Sequence, residues 1–131
     1  MDPWKRDLLH YAAAEGKTAE ALRLITGGAD VDAQDSNGMT PLHFAAQEYA
    51  SGVAALLLEH GADVELKGRY GNIALGTAVA NSLGRGEIIK LLRDDGADPR
   101  TENNHGKTPL YLARLIANYD IAQYFSDLPE E

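Results

Sequence analysis

The strongest constraint on this chain is an internal repeat with a period of about 33 residues. The tripeptide Gly-Ala-Asp occurs at residues 28–30, 61–63 and 96–98, at intervals of 33 and 35 residues. A second marker keeps the same intervals, aligning residues 37–42 with 70–75 and with 105–110. A fixed period of this length predicts a solenoid, in which each unit packs only against its neighbours.

Each unit carries signals for two short helices. In the second unit, Thr40 before Pro41 is typical of an N-cap followed by the first helical position. A second helix is predicted from about Ala50 to Glu59, and Gly61 stands where a left-handed residue commonly ends a helix. Helices this short are marginal alone, so their apolar faces must pack against the neighbouring units. The pattern predicts an all-α fold.

The second unit resembles the ankyrin repeat, which has the same length and the signature Thr-Pro-Leu-His-x-Ala, present here at residues 40–45. The resemblance covers about residues 7–126. It implies an ankyrin solenoid of four stacked helix-turn-helix units with β-turn or hairpin tips. The expected units are at about 7–34, 35–67, 68–102 and 103–131, within a single domain over residues 1–131. The first and last units are expected to be atypical caps.

The third unit departs most from this pattern. Thr-Pro becomes Ile73-Ala74, the histidine becomes Gly76, and two extra residues lie between its helices at 81–86. The missing cap oxygen and the glycine near the helix start each cost about 1 kcal/mol. We therefore expect the first helix of this unit to be the least protected one.

Composition excludes several classes of function. The chain has 131 residues, no cysteine and a formal net charge of -8. Thiolate zinc sites, cysteine nucleophiles and disulfides are absent, and the acidity disfavours binding to nucleic acid. No apolar signal core and no membrane-length apolar segment occurs. We expect a cytoplasmic protein that binds neither nucleic acid nor membrane.

The residues that could carry chemistry have structural interpretations. His10 and His43 are 33 residues apart, and the resemblance implies that each imidazole ties a turn to a helix start. Asp30, Asp63 and Asp98 follow helix ends, where carboxylates bond to backbone donors of the next turn. No phosphate loop, dinucleotide fingerprint or HExxH motif occurs. We expect no enzymatic activity, no metal and no cofactor.

The resemblance implies that partner contacts lie on the concave face, formed by the hairpin tips and first helices. The corresponding residues here are Trp4, Arg6, Ser36, Asn37, Met39, Gln47, Glu48, Arg69, Tyr70, Asn72, Asn81, His105 and Lys107. Trp, Tyr and Arg are the residue types that dominate interface energetics. Tyr70 is expected to be exposed, whereas Trp4 either contacts the partner or folds back over the apolar end of the first unit.

These observations predict a non-catalytic, monomeric module that binds a protein partner and inhibits or sequesters it. The chain is also similar to small stand-alone bacterial ankyrin proteins, around residues 86–92 and 112–120. Some of those are immunity proteins that neutralise a cognate toxin by occlusion, and an acidic inhibitor suits a basic toxin or enzyme. The alternative class is a structural or assembly subunit.

Overall fold

The computed structural model describes residues 2–116 and 118–129, and within them the architecture is helical throughout. The α-helices are α1 (Leu8–Ala14), α2 (Thr18–Thr26), α3 (Pro41–Gln47), α4 (Ser51–Glu59), α5 (Ala74–Asn81), α6 (Glu87–Asp94) and α7 (Pro109–Leu115). Short 3₁₀ helices cover Arg69–Gly71 and Ile121–Phe125. The described part of the chain contains no strand, and the all-α repeat architecture is confirmed.

The helices form two layers, one of first helices (α1, α3, α5 and α7) and one of second helices (α2, α4 and α6). Small side chains such as Ala13, Ala45 and Ala78 are fully buried in the first layer and let its helices approach closely. Larger side chains such as Leu57 and Ile89 are fully buried in α4 and α6 of the second layer. Each short helix therefore obtains its apolar neighbours from the adjoining units, as the repeat period predicts.

In each of the first two units, one histidine joins a helix start to the tip of the next unit. Thr40 Oγ1 accepts from the backbone N–H of His43 at 3.2 Å, and His43 Nδ1 accepts from the Thr40 N–H at 3.2 Å. With Nδ1 accepting, Nε2 carries the proton and donates to the Asn72 carbonyl at 2.8 Å. His10 repeats the tie, its Nε2 donating to the Met39 carbonyl at 2.9 Å. The structural interpretation of both histidines is confirmed.

The third unit lacks this tie. Ile73 occupies the N-cap of α5 and provides no side-chain hydrogen bond, and Gly76 has no ring to reach the next tip. Other contacts connect this unit to the fourth. Asn103 Nδ2 donates to Asn72 Oδ1 at 2.9 Å, and the Asn104 N–H donates to the Tyr70 carbonyl at 2.9 Å.

The two extra residues of the third unit lie in the loop 82–86, between α5 and α6. Tyr49 of the preceding unit holds this loop. Its hydroxyl donates to the Arg85 carbonyl at 2.6 Å and accepts from the Ile88 N–H at 3.3 Å. The Arg85 guanidinium lies 4.1 Å from the centre of the Tyr49 ring. Tyr49 thus fixes the insertion from the side of the second unit.

The turns after the second helices behave as predicted. Asp30, Asp63 and Asp98 each accept from the N–H two residues later, at 2.9, 2.8 and 2.9 Å. Two neighbouring carboxylates add links between units. Asp32 accepts from the Asp63 N–H at 2.9 Å, and Glu65 accepts from the Asp98 N–H at 2.8 Å.

The repeat pattern predicts a second helix in the last unit too, but residues 118–129 form no α-helix. Ala117 lies outside the described residues, and the segment that closes the stack is the 3₁₀ helix Ile121–Phe125. Ile121 and Phe125 are buried, and Arg93 of α6 holds the segment through two bonds to Asp127, at 2.7 and 2.9 Å. Since no described unit stacks beyond it, a single short turn suffices to cover the last apolar surface.

Replacing Gly76 by alanine is expected to stabilise the protein by about 1 kcal/mol, because glycine is a poor helix former. A Cβ at this position meets nothing closer than 3.6 Å. Urea unfolding measures the gain. Native-state hydrogen exchange should show α5 exchanging faster than α3 in the parent, and α5 should exchange more slowly in Gly76→Ala than in the parent. Gly86→Ala is the control, because its Cβ overlaps the Tyr124 ring and should destabilise. A Gly76→Ala variant no more stable than the parent contradicts the prediction.

The His43 tie should weaken in mild acid. Burial lowers the pKa of His43, against a smaller opposite effect of its bond to the Asn72 carbonyl. Because its folded-state pKa lies below the unfolded value of about 6.5, its contribution is complete above that pH and is lost as the pH falls toward the folded-state pKa. His43→Gln keeps a side-chain acceptor at the helix start. Between pH 7 and 5, the free energy of unfolding should fall more steeply for the parent than for His43→Gln. Equal slopes in the two proteins would show that His43 does not titrate in this way.

Candidate partner-binding surface

The second and fourth tips are shaped by a side chain that accepts two backbone bonds. Asp35 Oδ1 accepts from the N–H groups of Asn37 and Met39, both at 2.9 Å. Asn103 Oδ1 accepts equivalently from the N–H groups of His105 and Lys107, at 2.9 and 3.0 Å. These turns position the tips without help from a partner.

The third tip has Gly68 at the equivalent position, so no side chain can organise the turn in this way. The chain forms the 3₁₀ turn Arg69–Gly71 instead, with Tyr70 in the left-handed region at φ 61°. Tyr70 is 61% exposed, as expected, and its ring centre lies 6.4 Å from that of His105 on the next tip. Arg69 and Tyr70 therefore project from the middle of the row of tips.

Met39, predicted to contact a partner at the second tip, is largely enclosed. Met39 is only 7% exposed, and its sulfur lies over Gly68, where a Cβ would come within 2.8 Å of it. The Arg69 N–H also points to this sulfur, at 3.4 Å. Because Gly68 leaves the space of a side chain empty, the Met39 side chain turns inward and fills it.

Arg6 is also more enclosed than a freely projecting tip residue. Its Nε donates to Asp35 Oδ2 at 3.0 Å, and its guanidinium lies 4.9 Å from the ring centres of both Trp4 and Phe44. Burial alone would raise the pKa of Asp35, but the bonds from Arg6 and from backbone N–H groups outweigh it and lower that pKa. Arg6 therefore links the first tip to the second, and any contact with a partner is additional to this role.

Trp4 stacks on Arg6 at the first tip and stays half-exposed. Its carbonyl accepts from the Ser36 N–H of the next tip at 2.7 Å. Leu8, at the start of α1, is 70% exposed, which counts against the interpretation that Trp4 covers the apolar end of the first unit. Of the other predicted contacts, Ser36, Asn37, Glu48 and Lys107 are exposed.

A cleft of about 510 Å³ crosses the second, third and fourth units and brings together seven of the predicted residues. These are Met39, Gln47, Arg69, Tyr70, Asn72, Asn81 and His105. The remaining lining residues are Gly76, Thr77, Ala80, Asn103 and Leu112. Alignment of the first helices also assigns Ala80, beside Asn81, to the concave face, whereas the other four are missed. Thr77 and Leu112 align with Phe44 in the repeat. Adding this helix position to the predicted contact positions would have found them.

Arg69 is the one formally charged residue among those that line the cleft, and no carboxylate lines it. Within the described residues its guanidinium makes no hydrogen bond or ion pair. Asn81 Nδ2 donates to the Thr77 carbonyl at 2.9 Å, and Gln47 Nε2 donates to Glu48 at 3.1 Å. The cleft thus combines an unpaired cation with amide groups that are only partly engaged.

Within residues 2–116 and 118–129, no helix is both long and apolar enough to cross a bilayer. No cluster of three or more His, Asp or Glu side chains in that part of the chain could hold a metal ion.

Comparison with known proteins gives two matches. The family model for ankyrin repeats (3 copies) matches residues 9–103. The tyrosine-protein kinase HTK16 of Hydra vulgaris is 28% identical over 121 residues, which is 92% of this chain and 16% of the kinase. The chain thus spans a small part of that relative's length, and the kinase activity in the name is a property of the relative.

Proposed function

Because the chain belongs to the ankyrin repeat family, we propose that it is a non-catalytic module that binds a protein partner through its tips and first helices. Ankyrin repeats are generally protein–protein interaction modules. The observation that carries the proposal for this chain is the cleft, where seven of the residues aligned with the family's contact positions converge. Its exposed mouth residues, Arg69 and Tyr70, are of the types that anchor interfaces.

The rigidity of this surface supports binding. The tips are held by Asp35 and Asn103 and by backbone bonds from one tip to the next. A preorganised surface loses little conformational freedom on association, so more of the contact energy appears as affinity. The expected result of binding is that the partner is covered and thereby inhibited or sequestered.

The finer form of the proposal is a cytoplasmic bacterial immunity protein that neutralises a cognate toxin by occlusion. The net charge of -8 supports a basic toxin or enzyme as the partner, since complementary fields raise association rates.

A second candidate function, a structural or assembly subunit, is favoured by the exposed apolar end of the first unit. Leu8 is 70% exposed and Leu22 is 43% exposed. The residues equivalent to Leu8 in the next two units, Pro41 and Ala74, are buried. A second copy of the chain could cover this end.

The oligomeric state separates the two candidates. A binding module should elute as a monomer of 14.1 kDa at every concentration, measured by size-exclusion chromatography with light scattering. A mass that rises with concentration in the parent, and falls back in Leu8→Glu, would support the assembly subunit and contradict the monomeric module.

The binding surface itself is tested by Arg69→Glu combined with Tyr70→Ala. Both side chains are exposed, so the unfolding free energy should change by less than about 1 kcal/mol, whereas retention of the native partner from cells of the source organism should be lost. The matched control is Arg23→Glu with Leu22→Ala on α2, which also changes an exposed cation and an exposed apolar side chain. Equal retention by the tip variant and the control would place the binding surface elsewhere.

A further inference from the structure

We propose that the cleft over Gly76 receives a glutamate side chain of the protein partner, with its carboxylate bound by Arg69 and a neighbouring apolar side chain packed on the cleft walls. This inference rests on the proposed function, because it names the chemistry of the bound segment.

The room for such a side chain arises from two glycines of the third unit. His10 and His43 occupy the equivalent place in the first and second units, between the helix start and the next tip. At Gly76 this imidazole is missing, and a Cβ there would make only ordinary van der Waals contacts with Asn72 and Pro109, at 3.6 and 3.8 Å. Gly68, which replaces the turn-forming Asp35 and Asn103 of the other tips, lets the 3₁₀ turn place Arg69 and Tyr70 along the cleft.

The charge of the cleft selects an anion. Of 20 Asp and Glu residues in the chain, none lines the cleft, and the Arg69 guanidinium has no described partner. A carboxylate matches a guanidinium in charge and in bidentate geometry. A phosphate carries about two negative charges at neutral pH, which a single arginine balances poorly. A nucleic acid is disfavoured because the net charge of -8 repels its phosphate backbone.

The polar groups of the lining can serve the rest of the bound segment. Asn72 Oδ1 accepts from Asn103, so the side chain of Asn72 still has its amide N–H groups to donate. The amide N–H groups of Gln47 and Asn81 donate elsewhere, so their side-chain oxygens are the groups left to accept from backbone N–H groups. A segment that contains a carboxylate and peptide groups provides acceptors for the lining donors and donors for the lining acceptors.

The size and apolar walls of the cleft call for more than a carboxylate. Met39, Ala80 and Leu112 contribute apolar surface, and about 510 Å³ is far more than one carboxylate fills. Glutamate brings a methylene stem that packs on such walls, and an adjacent leucine-sized side chain fills the remaining space. The expected segment is therefore acidic at one residue and apolar at the next.

The test uses the peptide acetyl-Ala-Leu-Glu-Leu-Ala-amide and the same peptide with glutamine in place of glutamate, each titrated into the full chain and followed by NMR. The glutamate peptide should shift the side-chain amide signals of Asn72 and Asn81 saturably and bind at least about tenfold more tightly than the glutamine peptide. Arg69→Gln should remove this preference. Equal binding of both peptides, no binding, or shifts confined to another face would overturn the proposal.

Gly76→His supplies a variant that fills the cleft without breaking the fold, since an imidazole there repeats the arrangement of His43. Peptide binding should be lost in Gly76→His and kept in Gly76→Ala, which adds only a methyl group. Unchanged binding in Gly76→His would overturn the proposal. If the native partner is retained by the parent and by Gly76→His but not by the Arg69 and Tyr70 double variant, the cleft occupant is wrong while the binding module stands. Retention by all of these variants would contradict the proposed function itself.

Discussion

The hydrogen bond from a buried imidazole to the backbone of the next tip sets the register of this stack. In His10 and His43, one ring nitrogen accepts from a helix start and the other donates to a carbonyl of the following unit, at 2.9 and 2.8 Å. One side chain thus couples the start of a helix to the stacking of two units. The third unit gives up both effects at Gly76, and the same change opens the cleft. The poorly capped helix α5 and the cleft therefore have a common origin, as is frequent where function costs stability.

How far the sequence predicts the structure depends on whether a feature repeats. Helix bounds in the second unit, the Thr40 cap and the Asp63 turn are local and recur with the period, so they could be predicted. The inward turn of Met39 could not, because it depends on the missing side chain of Gly68 in another unit. For the site, alignment predicted most of the lining residues, but their convergence into one cleft required the coordinates.

Several carboxylates of this acidic chain have structural roles. Asp35 is buried against Arg6, and Asp32 and Glu65 accept backbone bonds that join successive units. These carboxylates are engaged in holding the stack together. Arg69 stands apart from them as a cation without a described partner, and the formal charge that it brings to the cleft lining is opposite in sign to the net charge. Long-range attraction and local recognition can therefore favour different charges on one partner.

The cleft keeps its shape although the helix behind it is poorly capped, because the third unit is clamped from both sides. Tyr49 reaches across from the second unit to Arg85 and Ile88, and it does so from the left-handed region at φ 55°. Such a backbone conformation is strained for a tyrosine and persists where the surroundings fix it, here through burial and two hydroxyl bonds. Tyr124 packs on Gly86 at the other end of the same loop. The loop that follows α5 is thus fixed from both sides by contacts that do not depend on the N-cap of α5.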